Sequence, residues 1–255
     1  MKTIAMIQAR LKSSRFPGKV LEKIKDKTII EVMVERLKKC QHIDKVVVVI
    51  PDNEPKLEAF FKDKDISYYP GSEKDVLKRF YDANKYYHGD HVVRLTADCP
   101  LIDPDIVDAV VSQHKTASSE FTTNSWIGKE TFPDGLDVSV MTGQILARVH
   151  AEATEDKDRE HVVTYVYDNP QRFKSCIVDA KENYPEMRLT VDYPEDLEVI
   201  KNICAEFHDL RFNTNDIIKL YHRKPEIFKI NITNVRNESY IEQVEKKKPG
   251  RPKAK

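Results

Sequence analysis

Short apolar runs rich in β-formers alternate with helix-period segments along the first half of this chain, and that alternation most constrains its fold. Residues 3–7, 45–50, 66–69 and 91–96 read as strands, with helical stretches between them at 29–39, 55–62 and 75–87. Strand, helix and strand in repeated order is the pattern of an α/β fold, a mixed, mostly parallel sheet flanked by helices. In the third helix Val76, Phe80, Ala83 and Tyr87 share one face. Pro51-Asp52, Pro70-Gly71 and Pro100 punctuate strand ends. Asp103-Pro104-Asp105 reads as a cap followed by proline, opening a helix over 105–114.

The second half is less regular. Residues 121–124, 136–141, 172–178 and 188–191 read as strands, and 142–153, 159–167, 194–207 and 213–222 as helices. There is no internal repeat in this reading, and 126–134, with little pattern, is a candidate mobile loop near a site. With 255 residues, 40% hydrophobic and 33% charged, the chain can bury one good α/β core. No apolar run approaches a membrane span and no signal-peptide pattern opens the chain, so a cytoplasmic protein is expected. Cys40, Cys99, Cys176 and Cys204 are far apart, form no metal-binding spacing, and read as buried thiols.

A formal net charge of zero gives no argument for nucleic acid or membrane as the main partner. The charge is uneven, however: residues 246–255 carry six cations and no acid, with two prolines and no apolar face. That tail is expected to be disordered. Its Pro249-Gly250-Arg251-Pro252-Lys253 resembles the AT-hook of minor-groove binders, and nucleic acid is expected, if at all, only through it.

Two kinds of segment carry chemistry. The first is Ala9 to Lys19, with four cations, two hydroxyls, a proline and a glycine just where the first strand opens into a loop. Such a loop offers backbone N–H groups and fixed positive charge to a polyphosphate. The second is a pair of carboxylates at strand ends, Asp98 after Arg94-Leu95-Thr96-Ala97 and Asp192 after Arg188-Leu189-Thr190-Val191. In open α/β sheets the ligand lies outside the carboxyl ends of the strands, and two carboxylates plus phosphate oxygens suit Mg²⁺. Asp192 could instead cap the helix that follows it. Phe132 to Asp137 forms an acidic turn before a strand, and Arg159-Glu160-His161 opens a helix where an arginine could receive a carboxylate.

Taken together, these segments resemble the cytidylyltransferases that activate acidic sugars, the CMP-sialic acid and CMP-KDO synthetase superfamily, in its spore coat polysaccharide branch. The matching stretches are Ile7 to Lys19, Asp75 to Arg79, Arg94 to Asp103, Phe132 to Asp137, Arg159 to Val162 and Arg188 to Glu198, in the family's order. The resemblance covers about residues 4–200 and implies a GT-A-like nucleotidyltransferase fold, read as a catalytic domain over 1–230; from Asn231 onward there is no counterpart, and the chain is divided into a C-terminal extension at 231–245 and the tail at 246–255. The resemblance also implies a reaction of CTP with a sugar acid to give CMP-sugar and pyrophosphate, with Mg²⁺ as cofactor and a homodimer as the assembly. Carried over by position, Arg10, Lys19 and Asp98 would be catalytic. The nucleotide would meet Ala9, Arg10, Ser13, Ser14, Arg15, Lys19, Arg79, Arg94 and Thr96. The sugar would face Asp137, Arg159, Glu160 and His161, and the metal would lie on Asp98 and Asp192.

The pattern departs from the family at Ala97, where glycine is usual, at Ser139, and at Val163-Thr164. A glycosyltransferase that consumes a nucleotide sugar is the rival reading, but its paired-acid metal motif is missing, since the central strand ends Asp98-Cys99-Pro100. Asp103-Pro104-Asp105 has the spacing and looks like a helix start. A non-catalytic binding homologue with a nucleic-acid-seeking basic tail is the other rival; retention of both carboxylates and all three loop cations argues against it.

Overall fold

The computed structural model describes residues 1–238, 240 and 241; the basic tail and the end of the proposed extension lie outside the described residues. Seven strands build the main sheet: β1 (Thr3–Gln8), β4 (Lys45–Pro51), β5 (Tyr68–Gly71), β6 (His91–Thr96), β7 (Phe121–Thr123), β8 (Ser139–Thr142) and β9 (Ser175–Ile177). Their order is β5-β4-β1-β6-β8-β7-β9, and β2 (Lys23–Ile24) with β3 (Lys27–Thr28) forms a separate small hairpin. The pairs β1–β4, β1–β6, β4–β5 and β7–β9 are parallel, and β8 runs antiparallel to both β6 and β7. The mixed, mostly parallel sheet expected from the sequence is therefore present.

The helices are α1 (Ile29–Leu37), α2 (Pro55–Asp63), α3 (Val76–Tyr87), α4 (Pro104–Thr116), α5 (Gly143–Glu152), α6 (Asp156–His161), α7 (Thr164–Asp168), α8 (Pro194–Ala205), α9 (Thr214–Arg223) and α10 (Pro225–Phe228). The sheet's alternation sorts them. Ala5, Ile7, Val48, Ile50, Val93 and Leu95 face one layer, packed with Met33 and Leu37 of α1, Phe61 of α2 and Val110 of α4. Ile4, Met6, Val47, Val49 and Val92 face the other, with Leu77 and Phe80 of α3 and Leu146 of α5. Strands buried on both faces explain why the first half reads as unbroken apolar runs. A third cluster joins α8, α9 and α10 to Leu136, Leu189 and Val191 beside the sheet.

Local chemistry sets the ends. Thr28 and Glu31 form a reciprocal capping box on α1, and Asp75 accepts from the Lys78 N–H at 2.8 Å to start α3. Asp103 caps α4 and also accepts from the N–H and hydroxyl of Thr214, at 2.7 and 2.6 Å. It is buried and fully engaged, which removes it as a metal ligand of a glycosyltransferase pair.

The structure corrects four details. The third strand is Tyr68–Gly71, not 66–69, because Ile66 still belongs to the turn off α2, its N–H bonded to Phe61 O at 2.9 Å. Pro70 is tolerated there because β5 is an edge strand. The strand expected at 136–141 begins only at Ser139, because the Asn124 side chain bonds Leu136 O and Val138 N in place of a neighbouring strand. The helix expected over 159–167 is broken at Val162, where φ is +69° and Val163 N–H bonds back to His161 O at 2.7 Å. Cys176, expected buried, is partly exposed on edge strand β9, while the other three cysteines are buried. Among the described residues no helix is long and apolar enough to cross a membrane.

A buried histidine pair carries a stability prediction. His114 of α4 stands 3.1 Å from the Thr122 hydroxyl and 3.2 Å from the His91 ring of β6. Burial first, then His91, pushes the His114 imidazole down to about 4, and His91 is lowered as well. A depressed histidine contributes stability that is full above its unfolded value near pH 6.5 and is lost as pH falls toward 4. Between pH 7.5 and 4.5 the wild type should lose about 2–3 kcal/mol more unfolding free energy than His114→Gln. Urea titrations at the two pH values check this; parallel losses in both proteins would refute it.

Candidate active site

The pocket opens where β1 and β6 end side by side, at the carboxyl edge of the parallel strands. The loop leaving β1 is closed by Gly18 N–H to Leu11 O at 2.8 Å, and Leu11 N–H is held by Glu54 at 3.1 Å. Gly18 takes φ +76° in this turn, which glycine adopts without the steric cost of a side chain. The turn sends Lys19 inward, where it is buried at the first position of a short 3-10 helix. Arg10 stays exposed at the rim, and Ser13, Ser14 and Arg15 line the same wall.

Lys19 Nζ donates to Asp98 Oδ2 at 3.1 Å, to Asp192 Oδ1 at 2.9 Å and to Val191 O at 2.7 Å. Burial pulls the ammonium's pKa down, and the two carboxylates more than offset this, so the net shift is upward. Asp98 is the mirror image: burial raises its pKa, but Lys19 and the neighbouring hydroxyl and thiol hold it well below the usual range. Asp98 therefore keeps its charge. One cation is thus shared between two carboxylates, one just past the end of β6 and one on a separate extended segment, and carboxylate oxygens are the donor type a hard divalent ion takes. No group of three Asp, Glu, His or Cys assembles into a fuller cage among the described residues.

Asp192 is not a helix cap. Asp196 performs that task, accepting from the N–H groups of Asp192 at 2.9 Å and Tyr193 at 3.0 Å. This frees Asp192 to bond Lys19, Arg15 Nη2 at 2.6 Å and Arg188 Nη2 at 3.0 Å.

Residues 188–191, expected as a strand, form no ladder. The segment is extended and threads between two others, with Leu189 N–H on Asp134 O at 2.7 Å and Val191 N–H on Asp98 O at 2.8 Å. Gly135, at φ +98°, permits this passage, since a Cβ there would lie 2.6 Å from the backbone of Leu189 and Thr190. The extended alternation puts Arg188, Thr190 and Asp192 on the pocket while Leu189 and Val191 enter the core. β6 does the same with Arg94, Thr96 and Asp98. The pocket floor is thus two Arg-x-Thr-x-Asp segments, a repeat visible in the sequence that marks Arg188 and Thr190 as site residues.

Arg188 is buried and forks to Asp134 at 2.8 Å, Asp192 at 3.0 Å and Asp196 at 3.0 Å. Burial and the nearby Asp137 carboxylate push Asp134 up to about 7, against the pull of Arg236 and Arg188. Asp137 lines the pocket and is also raised, chiefly by burial, with Arg236 Nη2 at 2.6 Å opposing. The C-terminal segment contributes more than Arg236. Asn231 and Asn234 anchor it on Asp196 at 2.9 and 3.0 Å, and Glu238 meets Arg15 Nη1 at 2.9 Å and the Tyr193 hydroxyl at 2.7 Å. Asn237, Glu238 and Tyr240 line the pocket. No motif in the sequence pointed to these residues, because their placement depends on a long return of the chain.

Of the residues singled out in the sequence, Ala9, Arg10, Ser13, Ser14, Arg15 and Lys19 border the pocket on the loop side. Arg79, Arg94, Thr96, Asp98 and Asp192 border it along α3 and the floor, and Asp137, Glu160 and His161 line it as well. Arg159 is the exception. Its guanidinium turns back to Asp75 at 2.5 Å and to His150 O at 2.7 Å, tying α6 to α3 and α5. Having crossed to the helix side to satisfy these groups, it does not line the pocket. The break at Val162 does the opposite for its neighbours, leaving His161, Val163 and Thr164 all on the pocket wall.

The cytidylyltransferase family profile matches residues 4–242, nearly the whole described chain. This chain belongs to that family. A cytidylyltransferase from Leptospira borgpetersenii superposes with a TM-score of 0.85 at 35% identity, over 89% of this chain and 97% of that one. Spore coat polysaccharide biosynthesis protein SpsF of Bacillus subtilis is 29% identical over 235 residues, 87% of this chain and 94% of its own length. An uncharacterized protein of Methanocaldococcus jannaschii is 34% identical over 246 residues, 95% of this chain and 99% of its own. The match reaches past residue 230, so the family's span includes the segment that brings Arg236 and Glu238 to this cytidylyltransferase's pocket.

Proposed function

We propose that this cytidylyltransferase transfers CMP from CTP to the anomeric hydroxyl of an acidic sugar destined for a surface polysaccharide or glycan, releasing pyrophosphate. The observation that carries the reading is the Lys19 ammonium held on Asp98 and Asp192 beside a loop of exposed cations. In this reading Arg10, Arg15, Lys19 and the backbone around Ser13 and Ser14 grip the β- and γ-phosphates, and Arg79 lies beside the cytidine. Asp98 and Asp192 would hold Mg²⁺, which when bound supplies Lewis-acid neutralisation of the phosphate. Asp137, Glu160 and His161 face the sugar.

The reaction asks little covalent chemistry of the protein; it needs the hydroxyl aligned with the α-phosphorus and the leaving group's charge met. Lys19 and Arg10 meet that charge as the pyrophosphate departs. Polysaccharide involvement is supported by the similarity to the spore coat protein, and the acidic nature of the sugar by the motif resemblance to sialic acid and octulosonic acid synthetases.

The test is pyrophosphate release with Mg²⁺ and each of the four nucleoside triphosphates against a panel of sugar acids and neutral sugars. Release with CTP and a sugar acid is expected. Release only with a neutral sugar, or with another nucleotide in preference to CTP, would overturn the corresponding half of the reading.

A further inference from the structure

The two Arg-x-Thr-x-Asp segments form an internal comparison. Their threonines and aspartates do similar work, but their arginines differ. Arg188 is matched by three carboxylates. Arg94 has no ion pair among the described residues; its Nη2 donates to Gln8 at 3.1 Å, and its buried Nε has no partner at all. Burial lowers its pKa, and the nearby Tyr167, Asp98 and Asp137 act on it only through space. A half-buried guanidinium with a buried, unpartnered Nε carries a desolvation cost, and that cost is recovered when a ligand brings the anion.

Arg79 is the other pocket arginine without an ion pair among the described residues; it is more deeply buried than the half-buried Arg94, and its Nε and Nη1 are likewise unpartnered. It lies on α3 next to Arg10, Asp52 and Glu73, on the loop side of the pocket. Arg94, which the resemblance set beside the nucleotide, lies on the floor three strands across the sheet from the β5 edge that Arg79 packs against, toward Tyr167 and Asp137. Two unmatched cations at two ends of one cleft correspond to two ligands. The loop cations already provide for the triphosphate, and Arg159, the cation expected to receive a sugar carboxylate, is committed to Asp75.

Resting on the sugar-acid reading above, we infer that Arg94 receives the carboxylate of the acidic sugar and so decides that this enzyme takes acids over neutral sugars. Its planar fork presents two parallel N–H donors to a carboxylate, and Gln8 fixes the guanidinium from behind. Arg188 beside it cannot serve, since every nitrogen of its guanidinium is bonded to a carboxylate.

Binding can be read without turnover. Trp126 is the only tryptophan of the chain, and its ring centroid is 4.9 Å from that of Tyr167, which lines the pocket. Tryptophan fluorescence is titrated with N-acetylneuraminate and with 3-deoxy-manno-octulosonate, each beside its carboxamide, in wild type, Arg94→Gln and Arg94→Lys. The wild type should bind one acid on the order of 100-fold more tightly than its carboxamide, and Arg94→Gln should bind the two within a few-fold of each other. Arg94→Lys, which keeps the charge and loses the fork, should recover part of the discrimination; it also carries the comparison if the glutamine variant does not fold. CTP affinity should change little in either variant, which sets this assignment against the nucleotide contact that the resemblance implied for Arg94. Equal binding of acid and carboxamide by the wild type, equal loss of both in Arg94→Gln, or a loss confined to CTP would overturn the assignment. Arg94-dependent binding of an acid with no pyrophosphate release from any nucleotide would leave the assignment standing and refute the proposed reaction.

Discussion

Lys19→Ala is expected to lower turnover on the order of 10²-fold or more. Arg15 and Arg188 reach Asp192, but Lys19 is the cation that bonds both Asp192 and Asp98. Without it Asp98 loses its ion pair with Lys19 and is no longer joined to Asp192 through a shared cation, and the charge developing on pyrophosphate loses its deepest partner. Lys19 is also what holds Asp98 ionised most strongly, so the variant's activity should fall off at a higher pH on the acid side than that of the wild type. Steady-state pyrophosphate release over a pH series, with circular dichroism to confirm folding, decides the matter. A folded variant within about three-fold of wild-type turnover would contradict the role, since loss of one such donor costs roughly 10²-fold or more.

Arg188→Met should be the most destabilising substitution at the site, by about 3–5 kcal/mol at neutral pH. The guanidinium is buried against three carboxylates, one of them the fully buried Asp196. Burial raises the Asp196 pKa, while Arg188 and the backbone N–H of Asp192 bring it below its ordinary value. A depressed carboxylate stabilises the fold above its unfolded pKa and loses that contribution as pH falls. In Arg188→Met the orphaned acids would protonate more readily, so the penalty should shrink between pH 7.5 and pH 5. Denaturant titrations at the two pH values read both the size and the trend. A loss under about 1 kcal/mol, as for an exposed pair, would show that the network is screened rather than buried.

The first half of the fold was legible because its strands are buried on both faces and its helices carry their own start signals. The bounds of β6 come straight from an apolar run ending in a turn, and α4 from Asp103-Pro104. The second half was harder, since its extended segments are held by unusual partners. Asn124 supplies hydrogen bonds that a strand would otherwise give to 136–138, and residues 188–191 bond to two separate segments without forming a ladder. Neither substitution leaves a period in the sequence.

The pocket residues that the sequence singled out were those whose chemistry follows an apolar extended run or sits on a cationic loop, Lys19, Asp98 and Asp192 among them. Arg159 misled because a charged first turn looks the same whether it faces a pocket or a neighbouring helix. Arg236 and Glu238 were invisible because only tertiary contacts with Asp137 and Arg15 bring them in. The Arg-x-Thr-x-Asp repeat was readable in principle and is the signal that would have found Arg188.

The measurement closest to the central claim follows label through one turnover, with CTP carrying ³²P at the α or the γ position and the sugar acid that supports release. The account predicts that α label appears in a sugar-linked nucleotide and γ label in pyrophosphate, in equal amounts. Label from the γ position in free phosphate, or α label remaining in free CMP or CDP with no sugar-linked product, would contradict cytidylyl transfer.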